Sequence, residues 1–286
     1  MLKRIITLAN FMIITILAAH SQVPIQVMES GHITVKAKVD GVEGNFILDT
    51  GAGLTVFTKS FFEKIPHKAA VDGGFTAFRA TGERLDIDLY KVYNFQLGAL
   101  QKSEDEVSFL DINLGGLDGI LSLKLFEQQP FTIDLVKKEL VLETERSLSN
   151  ARMAGERIPL QLEQSRGKAL DIFAYFRVND SLTLQLCLDS GAGKDVYRFN
   201  SKYLQRLGLK AQDSTVRKSE INTAFASKTY RAQVTKLAVA NVPSVQVTNF
   251  RAQFVDGLIY DGIMWINWLG SRITVDIPGK ELVVVK

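Results

Sequence analysis

A single cysteine, Cys187, in 286 residues leaves no partner for an internal disulfide and no thiolate set for zinc. Histidine is nearly as scarce. His20, His32 and His67 are too few for a His-rich metal site. His20 falls in an N-terminal leader, and His32 and His67 read as surface or loop residues, which leaves a Ser-His-Asp triad little to draw on. The net charge is only +3, with acids and bases interspersed and no basic run, so nothing calls for nucleic acid. No metal or cofactor is implied by any motif. What is abundant is ordinary: 46% apolar and 23% charged residues place the chain among globular proteins rather than disordered ones.

The N-terminus reads as a targeting signal. Lys3 and Arg4 precede an apolar run, and Ala19-His20-Ser21 offers small residues for a signal peptidase. Residues 1–21 are therefore expected to be removed. No cysteine follows for a lipid anchor, and the mature protein is expected to be exported, periplasmic or secreted, with no membrane anchor.

The rest reads as short strands. Ile33, Val35, Ala37 and Val39 alternate with polar residues, the period of a half-buried strand. Asp40-Gly41 is a turn, and 45–48 form the next strand, ending at Asp49. Ser60 and Glu63 have capping-box spacing, which predicts a short helix that stops before Pro66, with Phe61 and Phe62 as its packing face. Residues 75–90 form a hairpin turning at 80–83, and 101–106 form a polar loop. Residues 131–135 and 139–142 close the first half, with Asp134 on a half-exposed hairpin. The polar stretch 143–156 is the linker.

One stretch occurs twice. Ile47-Leu48-Asp49-Thr50-Gly51-Ala52-Gly53 returns as Cys187-Leu188-Asp189-Ser190-Gly191-Ala192-Gly193. The flanking order repeats as well. Val196-Tyr197 matches Val56-Phe57, and 203–207 match the short helix. Thr223-Ala224-Phe225 match Thr76-Ala77-Phe78. Asp49 and Asp189 stand 140 positions apart, Asp118 and Asp261 143, and Asp134 and Asp276 142. A nearly constant shift is what duplication with loop insertions leaves. Two halves are expected, 22–146 and 147–286, each a small β-barrel-like lobe. Asp118 and Asp261 shape turns in this reading, Asp276 lies on a half-exposed hairpin, and Trp265 and Trp268 belong to the core.

Asp49-Thr50-Gly51-Ala52 and Asp189-Ser190-Gly191-Ala192 resemble the Asp-Thr/Ser-Gly signatures of aspartic proteases. The Ala after Gly is similar to the retroviral-type branch, and the duplication within one chain to the pepsin-type arrangement. The resemblance implies an all-β, duplicated acid-protease fold: two lobes, few short helices and a cleft between. It implies catalytic Asp49 and Asp189, with Thr50 and Ser190 locking the loops and Gly51 and Gly191 allowing close approach of backbone N–H groups. It also implies a flap, best placed at 79–83 and centred on Thr81-Gly82, with Phe78 the nearest aromatic. The matching second hairpin, with Ser227-Lys228 near its tip, reads as a second flap or a shortened outer loop. The implied activity is endopeptidase cleavage of extended or unfolded polypeptides by a monomer.

Three positions depart from that pattern. Ser122 and Trp265 stand where glycines are expected behind the two motifs, and Lys194 follows the second motif where Leu54 follows the first. Trp265 would tilt the second loop, and a cation at Lys194 would favour an ionised dyad. Two other functions stay open at this point: a catalytically impaired, peptide-binding relative, and an exported β-sandwich binding or scaffold protein.

Overall fold

The computed structural model describes residues 22–219 and 225–286. Residues 1–21, expected to be a targeting signal, and Thr223 and Ala224 of the matched triplet lie outside the described residues. Among the described residues no helix is long and apolar enough to cross a membrane.

The first half contains β1 (Gln22–Val27), β2 (Ile33–Val39), β3 (Val42–Asp49), β4 (Val56–Thr58), β5 (Lys68–Phe78), β6 (Arg84–Leu97), β7 (Leu100–Leu110), β8 (Gly119–Ser122), β9 (Phe131–Asp134) and β10 (Glu139–Leu142). Helix α1 (Lys59–Lys64) follows β4, and α2 (Glu145–Ala154) joins the halves. The second half contains β11 (Glu156–Pro159), β12 (Gln161–Ser165), β13 (Ala169–Val178), β14 (Leu182–Asp189), β15 (Tyr197–Asn200), α3 (Lys202–Arg206), β16 (Asp213–Lys218), β17 (Ala226–Val239), β18 (Gln246–Val255), β19 (Gly262–Trp265), β20 (Arg272–Asp276) and β21 (Glu281–Val285).

Pairing shows the duplication directly. In the first lobe the order is β2-β3-β8-β4-β7-β6, and β6 pairs back onto β2. In the second it is β13-β14-β19-β15-β18-β17, and β17 pairs back onto β13. Each order closes on itself as a small barrel, which removes sheet edges that would otherwise invite aggregation. The expected all-β, two-lobe architecture is what the chain forms.

A third layer joins the lobes. Its order is β1-β10-β9-β20-β21-β11, and β9 lies antiparallel to β20 with Thr132 opposite Thr274. Their hydroxyls bond at 2.6 Å. Thr132 and Thr274 are equivalent residues, so the pseudo-twofold axis passes between them. This layer corrects the reading of Asp134 and Asp276, both of which are buried at 2% exposure. Asp134 accepts from the N–H groups of Val136 and Lys137 and pairs with Arg272, and Asp276 pairs with Arg152 of α2. Hydrogen bonds and opposite charge offset the cost of placing the carboxylates there.

Other expectations are corrected locally. Residues 101–106 belong to β7, because β6 supplies an in-register partner strand for them despite their polarity. The cap of α1 is Thr58, whose hydroxyl accepts from the N–H of Phe61; Ser60 lies inside the helix. Phe61 and Phe62 are buried as predicted, with the Phe61 ring edge-on to Phe46 and Phe57. The linker is largely α2, held by a capping box between Thr144 and Ser147. Ser227 and Lys228 sit in β17, opposite Arg217 and Val216, near the end of its hairpin with β16 as expected.

Candidate active site

Each motif begins as a central barrel strand. β3 runs parallel to β8 with Asp49 opposite Ser122, and β14 runs parallel to β19 with Asp189 opposite Trp265. Phe46 and Leu48 on one strand, and Leu186 and Leu188 on the other, are fully buried. Apolar anchoring of the strand fixes where the acid at its end emerges.

The two loops then grip each other. The Thr50 hydroxyl donates to the Leu188 carbonyl at 2.7 Å, and the Ser190 hydroxyl donates to the Leu48 carbonyl at 2.7 Å. The Thr50 N–H donates to Ser190 Oγ at 3.0 Å, and the Ser190 N–H to Thr50 Oγ1 at 2.9 Å. Thr50 and Ser190 have no exposed surface. All four bonds are buried and cross the lobe boundary, so the loops are positioned by each other as much as by their own strands.

This grip brings Asp49 and Asp189 together on the cleft floor. The Gly51 N–H donates to Asp49 Oδ1 at 2.8 Å. A Cβ on Gly51 would lie 2.5 Å from Asp189 Cγ, and one on Gly191 would collide with the Asp49 carboxyl. Each glycine is thus required by the opposite lobe's acid. Asp189 Oδ1 is buried without a hydrogen-bond donor among the described residues, and its carboxyl faces that of Asp49. Two facing acceptors are satisfied only when a proton lies between them. Burial raises both pKa values, and the Asp49 charge raises Asp189 further, so the pair retains one proton where an ordinary carboxylate has none.

Three neighbours surround the pair. His32 Nε2 lies 3.0 Å from the Gly191 carbonyl, and Nδ1 lies 2.7 Å from Ser30 Oγ. A carbonyl only accepts, so Nε2 is the donor to Gly191. His32 is a loop residue, as expected, but one that bonds to the other lobe; His67 is exposed and bonds to Asp40. Asp171 flanks the other side, its Oδ2 3.3 Å from where a Gly53 Cβ would be. Burial first, then the charges of Glu163 and Asp49, push its pKa up to about 7. His32 and Asp171 stand two residues before Thr34 and Phe173, which pair with Ile47 and Cys187, so they are equivalents. Neither carries a local motif. The signal available was their place two residues before the residues that face Ile47 and Cys187 in each motif strand.

The third neighbour is Arg198, whose charge acts on Asp189. Lys194, the expected cation, is exposed, and its backbone N–H is committed to the Ser30 carbonyl. The ladder also shifts the expected match by two. Val56 faces Ile120 and Arg198 faces Ile263, so Arg198 is the equivalent of Val56, and Phe199 that of Phe57. Cys187 is a buried free thiol whose pKa is pushed up by burial, which leaves it unsuited as a nucleophile.

The departures at Ser122 and Trp265 do not disturb the grip. Ser122 is fully buried and its hydroxyl accepts from Thr55 and from the Lys124 N–H. Trp265 turns its indole N–H to the Gly31 carbonyl at 3.3 Å. The paired bonds across the loops match to within 0.1 Å, so the expected tilt is absent. Trp268 packs against the main core as predicted.

The predicted flap is a hairpin of β5 and β6. Its turn is closed by bonds between Arg79 and Glu83 and from the Gly82 N–H to Arg79. Phe78 is 55% exposed. The tip reaches the second lobe: the Ala80 carbonyl accepts from Ile259 N–H at 3.0 Å, and a Cβ on Gly82 would lie 2.8 Å from the Gly257 carbonyl. Thr81 and Gly82 therefore bridge the cleft mouth in this structure.

Residues 35–125 match the family model described as aspartyl protease. No curated protein matches the chain in sequence. Among solved structures, basic 7S globulin from soybean has a similar fold at 8% identity and a TM-score of 0.52, over 92% of this chain and 93% of that one. The family match thus covers much of the first lobe, and the structural likeness shows the same overall fold.

Proposed function

We propose that the chain is an aspartic endopeptidase acting on extended or unfolded polypeptides. The observation that carries this is the close placement of Asp49 and Asp189 on the cleft floor, held there by the reciprocal grip of Thr50 and Ser190. The ionised member takes a proton from a water held between the carboxyls. The protonated member donates to the scissile carbonyl oxygen. Water adds to the carbon, and the proton then returns to the leaving amine, with no covalent intermediate. Asp49 and Asp189 exchange roles over the cycle. The flap covers the peptide and excludes bulk water.

Both acids come from one chain, so no second copy is needed to complete the dyad. The N-terminal sequence alone supports export. Peptide binding without cleavage is the second reading, and Ser122 and Trp265 were its basis; the undisturbed loops favour turnover instead.

Digestion of a peptide library across pH, beside Asp49→Asn and with a chelator present, tests the proposal. Cleavage that survives the chelator and disappears in the variant supports it. Cleavage that survives Asp49→Asn overturns it.

A further inference from the structure

The two lobes present equivalent sheet faces to the cleft, and they are built from opposite chemistry. In the first lobe, Phe75, Leu89, Ala77 and Ile87 form a packed apolar cluster with Leu54 and Ala169. The strand register gives their counterparts. Phe75 pairs with Ile87 as Thr215 pairs with Thr229, and Ala77 with Leu85 as Arg217 with Ser227. Tyr90 pairs with Val107 as Ala232 pairs with Ala252, which places Arg231 at the position of Leu89. Val56 is replaced by Arg198. Where the first lobe is filled, the second holds a cavity of about 400 Å³.

This cavity is strongly cationic. Arg79 from the flap tip, Arg198, Arg217, Lys218 and Arg231 line it, against one acid among the described residues, Glu83. Glu83 is already engaged by Ser219 Oγ at 2.5 Å and by Arg79 at 3.5 Å. Arg231 is paired with Asp213. Arg198 and Arg217 have no ion-pair partner among the described residues, and Arg198 is bonded only to Gln253 Oε1 at 3.4 Å. Burial, with Arg217 and Arg79 repelling, works against the charge on Arg198, and Asp189 alone favours it. A half-buried guanidinium held among like charges is stabilised by an incoming anion, most of all by a planar carboxylate that two nitrogens reach at once.

We propose that this cavity is a subsite for a carboxylate of the bound peptide, an acidic side chain or the chain's own C-terminus, gripped by Arg198 and Arg217 beside the dyad. It rests on the peptide-substrate reading above and adds a preference to it. The first-lobe counterpart is apolar, so the cleft is electrostatically lopsided. An acidic group on one side of the scissile bond then fixes which way the peptide lies.

The test is binding to the Asp49→Asn protein, which keeps cleavage out of the measurement. Three peptide series are compared by calorimetry: C-terminally amidated peptides with Glu scanned through each position, the same with Gln, and neutral peptides with a free C-terminus. At one register Glu is expected to bind roughly tenfold tighter than Gln. Arg217→Gln, on an exposed strand and so safe for folding, is expected to erase that advantage, as is Arg198→Gln. Lys36→Gln, on the far surface, leaves it intact. Tight binding confined to the free C-terminus identifies the chain end as the source. Equal binding of Glu and Gln with no gain from a free terminus overturns the subsite, as does a preference that survives both arginine substitutions. If the preference holds while the wild-type protein cleaves nothing, the subsite stands and the endopeptidase reading falls.

Discussion

Thr50 and Ser190 hold each other's loops through four buried, reciprocal bonds of 2.7–3.0 Å across the lobe boundary. Thr50→Val keeps the shape but strips the hydroxyl, leaving the Leu188 carbonyl and the Ser190 N–H buried without partners. The expected loss is about 3 kcal/mol of unfolding free energy, read by urea titration. Turnover should fall further than stability, because the dyad spacing depends on the same bonds.

Gly191 lies against the Asp49 carboxyl, so an added methyl has no room. Gly191→Ala is expected to abolish peptide cleavage while the barrels still fold. A crystal structure or circular dichroism together with an activity assay checks both halves of that statement. The same change at Gly73, whose position has nothing within 4 Å, leaves the cleft intact, with only its positive φ of 79° against it.

Asp171 holds a proton up to about pH 7 in the folded protein and only to about 3.8 when ordinary. The folded state therefore binds more protons than the unfolded state between those values, and stability falls as pH rises through that window. Asp49 and Asp189 act with the same sign, since both are raised. Asp171→Asn is expected to flatten part of the slope. Urea midpoints at pH 5 and pH 8 should lie closer together in the variant than in the wild type.

His32 fixes the Gly191 carbonyl and so acts through the loop rather than on the peptide. His32→Leu removes the donor, and turnover is expected to drop roughly tenfold with KM little changed. His32→Gln, which retains an N–H donor, should recover most of it. A loss that tracks unfolding instead, seen by thermal melting, would assign His32 a merely structural part.

How much was readable beforehand follows from how local each signal is. The motif pair was legible because a buried strand, an acid and a glycine turn are adjacent in the chain, and because the pattern recurs. The hairpin of residues 75–90 was legible from alternation and a Gly turn, while its reading as a flap came only from the resemblance. His32 was not legible, because its partner is 159 residues away. Arg198 was missed because the loop after the second motif is two residues longer, and only the pairing with Ile263 reveals it. Asp134 and Asp276 read as half-exposed because each hairpin alone would be so; Asp134 is covered by the other lobe's strand and Asp276 is engaged by Arg152 of α2. Residues 101–106 looked like a loop because strand pairing to β6, rather than side-chain pattern, holds them.

The most direct measurement is the turnover of Asp49→Asn, Asp189→Asn and the double variant on one peptide substrate. Each single change is expected to lower kcat by at least about a thousandfold, and the double variant to be no worse than either, because the two carboxyls act as one unit. Melting temperatures should not fall, since the facing acceptors are relieved. Substantial turnover by Asp189→Asn, or losses that multiply in the double variant, would contradict a shared-proton dyad.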